Sequence, residues 1–174
     1  MRIILAITGA SGVTLAQRFV AALPLEVELF VIQSNHAKIV FEKEHQITFF
    51  EDTDIAAAVA SGSFKCDGMI VLPCSMNTLA KIACGISDNL TTRTAAVMIK
   101  EQRKLILAPR ELPFSAIALE NMLKLASLQV LIAPPVLGYY SAPKTIEEME
   151  HFLIGKWFDL LGIPHTLFKR WGET

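Results

Sequence analysis

Five apolar runs of strand length, at residues 3–7, 27–32, 69–72, 105–108 and 130–133, are separated by segments whose apolar residues recur at helical spacing. Those helical segments carry Leu15, Phe19 and Ala22; then Leu79, Ile82 and Ala83; then Leu90, Val97 and Met98; then Ile117, Met122, Leu123 and Leu125. Runs without polar alternation read as strands buried on both faces. Strands that alternate with helices are joined by right-handed crossovers, so the pattern predicts an α/β parallel sheet with helices on both faces. Pro24, Pro73, Pro109, Pro134 and Pro135 punctuate the element ends, and the chain has no long linker, low-complexity tract or repeat. One domain over residues 1–174 is expected.

Composition narrows the partners. The chain is 52% hydrophobic and 19% charged with a mean hydropathy of +0.44, apolar for a chain of 174 residues. The longest apolar run, residues 68–73, is far short of the ~20 residues of a membrane span, so burial between copies of the chain is the reading for the excess. A net charge of −1 and the absence of a clustered basic stripe argue against nucleic acid. Three cysteines without metal-type spacing and a first residue that leads into a strand fit a reducing cytoplasm.

In open parallel sheets, ligands bind beyond the carboxyl ends of the strands. There the sequence places Thr8-Gly9-Ala10-Ser11-Gly12, then Gln33-Ser34-Asn35-His36, Pro73-Cys74-Ser75-Met76-Asn77-Thr78, Pro109-Arg110-Glu111, and Pro134-Pro135 running on to Gly138-Tyr139-Tyr140. A Gly/Ser turn at a helix start offers unpaired N–H groups, a hydroxyl and the positive end of the helix dipole, which together bind an anion. Equally, Ser11 can be an ordinary helix cap. The turn lacks the third glycine of a dinucleotide fingerprint, which disfavours NAD. Hydroxyls at Ser34, Ser75 and Thr78 on adjacent strand ends point to one phosphorylated ligand.

Further cations come from two helices. Residues 90–101 read as a helix with Arg93, Val97 and Lys100 on one face, its cations ~10 Å apart along the axis, either a binding face or a solvated edge. A helix opening at Thr145, with Glu148 completing a capping box, has Ile146, Met149, Leu153, Lys156 and Leu160 as its expected inward stripe. Lys156 on that stripe must meet an anion or snorkel to solvent. The four histidines share no ligand spacing, so no metal is expected, and Cys74 reads as a packing thiol without a histidine partner.

The chain resembles the UbiX-type flavin prenyltransferases along nearly its whole length. The residues that carry the resemblance are Thr8-Gly9-Ala10-Ser11-Gly12, Ser61-Gly62-Ser63-Phe64, Pro73-Cys74-Ser75-Met76-Asn77-Thr78-Leu79, Pro109-Arg110-Glu111 with Leu119-Glu120-Asn121-Met122-Leu123, and Arg170-Trp171-Gly172. The resemblance implies a three-layer Rossmann-like or flavodoxin-like subunit, assembled as a homododecamer, that binds reduced FMN at subunit interfaces without metal. It implies transfer of a dimethylallyl unit from dimethylallyl phosphate to N5 and then C6 of the flavin, the product serving a UbiD-type decarboxylase. By position, Gly9, Ala10, Ser11, Ser34, Ser75, Met76, Asn77, Thr78 and Arg110 would hold the flavin. Arg93, Lys100, Tyr140 and Lys156 would hold the prenyl phosphate, with Trp171 as an aromatic wall. Glu44, Glu111 and Ser11 are the catalytic candidates, and Glu111 either assists removal of the C6 proton or pairs with Arg110. Many relatives have arginine where this chain has Lys156, which keeps the charge and loses the bidentate fork. The alternative reading is an FMN-dependent cysteine decarboxylase on the same kind of subunit, whose loop typically reads Pro-Ala-Ser-Ala-Asn-Thr where this chain has Pro73-Cys74-Ser75-Met76-Asn77-Thr78.

Overall fold

Side chains alternate between the two faces of every central strand. On β1 (Arg2–Ile7), Ile3, Leu5 and Ile7 enter one core while Ile4 and Ala6 enter another, and β2 (Glu28–Gln33) divides its residues in the same way. In β4 (Gly68–Cys74) and β5 (Lys104–Pro109) the same division puts Ile70, Leu72, Ile106 and Ala108 on the first face. Both faces are apolar because both are covered, the condition under which parallel strands read as continuous hydrophobic runs. The computed structural model describes residues 1–9, 12–33, 46–139, 143–170 and 172.

The sheet is parallel, with β3 (Ile47–Glu51) and β6 (Leu131–Ile132) at its edges and the strand order β3-β2-β1-β4-β5-β6. Helices α1 (Val13–Ala22) and α5 (Ile146–Leu161) cover one face, where Phe19 meets Phe158 edge to face at 5.0 Å. Helices α2 (Met76–Ala83), α3 (Leu90–Lys100) and α4 (Ala116–Ser127) cover the other. Of the strands, β3 (Ile47–Glu51) was not foreseen from sequence; it lies at an edge with no residue fully buried, and so lacks the continuous apolar run that marks the central strands. At the opposite edge β6 is only Leu131–Ile132.

The order reverses between β1 and β4, where the connections leave to opposite sides and open a crevice at the carboxyl ends. α3 is a full-length crossover helix. Its start is tied to the end of β3, where the Leu90 N–H donates to the Asp52 carbonyl at 2.8 Å, and its last turn lies beside the start of β5.

One expectation needs correction. The inward face of α5 carries Leu153, Ile154, Trp157, Phe158 and Leu161, while Ile146 is 74% exposed and Lys156 is exposed. The buried arc is wider and turned by one residue because α5 packs on the sheet and also on the segment that follows it. Thr145 does cap α5, accepting from the Glu148 N–H at 3.1 Å, but the Glu148 carboxylate accepts from the Lys144 N–H at 2.6 Å, one residue short of a reciprocal box.

Candidate functional site

The site forms where β1 and β4 part. β1 is followed by Thr8, whose hydroxyl donates to the Pro73 carbonyl at 3.0 Å and accepts from the Ser75 N–H at 3.0 Å. One threonine thus locks the two strand ends together, a role that its place in the sequence, just before a glycine turn, did not reveal. Beyond it, Gly9 and Gly12 take φ of 86° and 97°, the left-handed region that side chains disfavour. At Gly12 a Cβ would also stand 3.4 Å from Pro73 Cβ and 3.7 Å from Arg110 Cδ, so glycine lets the turn lie against both. Gly12 is the N-cap of α1, without a side-chain cap. Ala10 and Ser11 lie outside the described residues.

From β4 the chain passes into α2 through Ser75, whose Oγ accepts from the Thr78 N–H at 3.1 Å and shares a 2.9 Å hydrogen bond with Thr78 Oγ1. This is the ordinary capping role. It engages the hydroxyls but leaves the Met76 and Asn77 N–H groups at the positive end of the α2 dipole. Met76 borders a cleft of about 210 Å³ that is also lined by Thr8, Gly9, Pro73, Cys74, Ser75, Arg110 and Glu111. A second cleft of about 310 Å³ shares Arg110 and Glu111 and is otherwise walled by Pro109, Leu112, Phe114, Pro134, Pro135 and Val136. The first compartment is lined by the start of α2 and an arginine, its neighbour mainly by apolar side chains, with Arg110 and Glu111 shared between them.

Arg110 is exposed and, among the described residues, has no carboxylate within 4 Å. Glu111 accepts from the Leu112 N–H at 3.2 Å and does not pair with Arg110. Its side chain belongs to the lining of both clefts. Cys74 is 1% exposed and burial pushes its thiol up to about 12, so it stays protonated and packs, as its sequence context suggested. Among the described residues no group of three His, Cys, Asp or Glu could hold a metal.

Other expected residues are distributed more widely. Arg93 sits in the first turn of α3, exposed, at the carboxyl edge. Asp52, which carried no recognisable signal in the sequence, fixes that turn: its carboxylate accepts from the Thr91 N–H at 2.8 Å and from Asn89 Nδ2 at 2.9 Å. Lys100 lies at the opposite end of α3, ion-paired with Glu101. It is near the start of β5, and the strand's six residues span roughly 20 Å before Arg110 is reached. Within this chain Lys100 therefore stands at the amino edge, away from Arg93 and from the clefts at the carboxyl edge. Lys156 also departs from its expected place, exposed on α5 and off the buried stripe. Ser34, Glu44, Tyr140 and Trp171 fall outside the described residues. A larger hollow of about 370 Å³ lies at the amino edge between the α3–β5 and α4–β6 turns, but its cations are engaged: Arg103 donates to the Phe64 and Gly62 carbonyls at 2.6 and 2.7 Å, and Lys104 to the Leu161 carbonyl at 3.2 Å.

Residues 1–156 match the family model described as Flavoprotein. A flavin prenyltransferase UbiX from Helicobacter pylori is 48% identical, with 99% of each chain covered. A solved UbiX (PadA1) in complex with FMN and dimethylallyl pyrophosphate superposes with a TM-score of 0.89 at 38% identity, covering 99% of this chain and 98% of that one. A dodecameric FMN-dependent UbiX-like decarboxylase from Escherichia coli gives a TM-score of 0.89 at 39% identity, covering 99% and 100%. A PPC decarboxylase is similar at a TM-score of 0.63 and 21% identity, covering 81% and 85%, a likeness of fold alone.

Proposed function

The chain belongs to the Flavoprotein family and within it to the UbiX-type flavin prenyltransferases, and from that premise we propose that it joins a dimethylallyl group to N5 and C6 of reduced FMN, taking the group from dimethylallyl phosphate. The observation that carries the reading is the pair of adjoining clefts with Arg110 and Glu111 on their boundary. Bound flavin supplies the nucleophilic ring, and the protein's part is to hold both partners and accept a proton. The α2 N-terminus, the Gly9 and Gly12 turn and Arg110 fit a phosphate by charge and by the close backbone approach that glycine allows. The apolar cleft beside them suits an allyl chain, and Glu111, in the lining of both clefts, is the carboxylate assigned to take the ring proton. Loss of phosphate from an allylic carbon leaves a dianion that cations must meet. Arg93 is a further exposed cation at that edge, and Lys100 and Lys156 would contribute from their own, more distant places on this chain or from another copy.

Assembly into a homododecamer is part of the reading. It is supported by the outward side of α4 and the turn before it, where Leu112 is 91%, Ile117 72% and Leu123 73% exposed. The product would pass to a UbiD-type decarboxylase, and three free thiols, Cys84 exposed among them, support a cytoplasmic setting. The cysteine decarboxylase alternative keeps only the likeness of fold.

Anaerobic incubation with reduced FMN and dimethylallyl phosphate, followed by mass analysis of the flavin, tests the proposal. A flavin heavier by one dimethylallyl unit is expected. Unmodified flavin with both the phosphate and the diphosphate would overturn it, and product from the diphosphate alone would change the donor.

A further inference from the structure

Beyond α5 the chain reverses and climbs back along the helix, and its contacts are more specific than packing requires. Gly155 lies in the interior of a 16-residue helix, where glycine costs about 1 kcal/mol relative to alanine. The reason is on its surface: a Cβ there would stand 2.4 Å from Phe168 Cε1 and 2.7 Å from His165 Cε1. The Phe168 ring fills this notch and lies 5.0 Å from the Phe152 ring. Phe152 in turn abuts Gly138, at which a Cβ would come within 2.8 Å of Phe152 Cε1. Gly138 is two residues past Val136, a wall of the apolar cleft, and two before Tyr140.

Asp159 fastens the returning segment. Its carboxylate receives both Arg170 nitrogens, Nη2 at 2.7 Å and Nη1 at 3.2 Å, and His165 Nε2 at 3.1 Å. His165 Nδ1 accepts from the Leu167 N–H at 3.2 Å, so its proton resides on Nε2 and is donated to Asp159. Arg170 also covers the Phe168 ring at 5.8 Å and immediately precedes Trp171.

We propose that residues 163–170 form a strap that positions the wall of the prenyl-donor cleft, through Phe168, Phe152 and the loop carrying Gly138, with Gly155 and Asp159 as positioning residues. This rests on the function proposed above. A bidentate arginine and a glycine notch fix the strap in one register, which small displacements of a donor-binding wall would require. The polar cleft is built on Thr8, Gly9 and Ser75, none of which is among the strap contacts named above.

The test uses full-length wild type, Gly155→Ala, Asp159→Asn and Phe168→Ala. Prenylated flavin from wild type is the first readout; its absence would defeat the functional reading, and the strap's role with it, before any variant is considered. With product formed, each variant should raise KM for dimethylallyl phosphate roughly 10- to 100-fold, leave FMN affinity unchanged, and speed hydrogen exchange at the Leu167 amide. Asp159→Glu should recover part of the loss, and Gly155→Ala should add less in a Phe168→Ala background than in wild type, with only the His165 contact remaining. Faster exchange with an unchanged KM would overturn the proposal, as would a parallel loss of FMN affinity.

Discussion

The two edges of the sheet use the same residue types to opposite ends. At the amino edge every described cation discussed above is engaged: Arg103 with two carbonyls, Lys104 with the Leu161 carbonyl, Lys100 with Glu101, while Arg2 pairs with Glu28 at 2.7 Å. At the carboxyl edge Arg110 and Arg93 have no carboxylate within 4 Å among the described residues. The glycines differ in the same sense. Gly62 at the amino edge makes room for Lys100 and Glu101 of its own chain, whereas Gly9 and Gly12 adopt positive φ beside a cleft. One edge is saturated internally and holds the fold; the other is left with donors and space for a ligand.

Exchanging the arginines' roles is the sharpest attempt to break that contrast. Arg110→Ala should cost about 2 kcal/mol of FMN binding, a loss of roughly 30-fold, since a charged donor to phosphate is removed. Its stability should not change. Arg103→Ala should do the reverse, lowering unfolding free energy by about 1–2 kcal/mol because two part-buried carbonyls lose a charged donor, with FMN affinity intact. Isothermal titration and urea unfolding of both variants decide it, and any crossing of the two effects would erase the distinction between the edges.

Gly12→Ala should affect both quantities, because its turn belongs to the site and also packs on β4. The left-handed backbone costs a non-glycine residue roughly 1–2 kcal/mol, and the added methyl meets Pro73 and Arg110. A lower midpoint of thermal unfolding together with weaker FMN binding is expected. Unchanged binding would mean that the turn serves the fold alone.

The sequence exposed this division unevenly, for reasons visible residue by residue. Central strands were legible because they are buried on both faces, whereas β3, with Phe49 46% exposed, has no such run. The site turns were legible because Gly12 and Ser75 stand at strand-to-helix junctions. Lys100 was grouped with Arg93 since periodicity reports which face of a helix a residue occupies and not which end of the sheet that end approaches. The stripe of α5 was displaced because a second packing partner, the returning segment, widens the buried arc. Thr8, Asp52 and the Asp159, His165 and Arg170 cluster act through contacts across the chain or at irregular separations, and no periodic pattern marks them. Ser61-Gly62-Ser63-Phe64 carried family resemblance yet lies at the amino edge, its Gly62 and Phe64 carbonyls held by Arg103.

The smallest effect separates the strap from both edges by pH. The hydrogen bonds from Arg170 to Asp159, opposed by desolvation and helped by His165, hold its carboxyl below the usual carboxylate range. The unfolded chain, with an aspartate value near about 3.9, therefore binds this proton more readily than the folded protein. Stability from the pair is present above that value and is lost as pH falls through the lowered one. Arg170 is 47% exposed, so the contribution is expected to stay below about 1 kcal/mol. The difference in unfolding free energy between wild type and Asp159→Asn should be constant at pH 6 to 7 and shrink below roughly pH 4. The difference between wild type and Arg110→Ala should remain flat over the same range, because no described carboxylate pairs with Arg110. A wild-type advantage over Asp159→Asn that persists through the acid range would show that Asp159 holds the strap by shape and neutral hydrogen bonds, with its charge irrelevant.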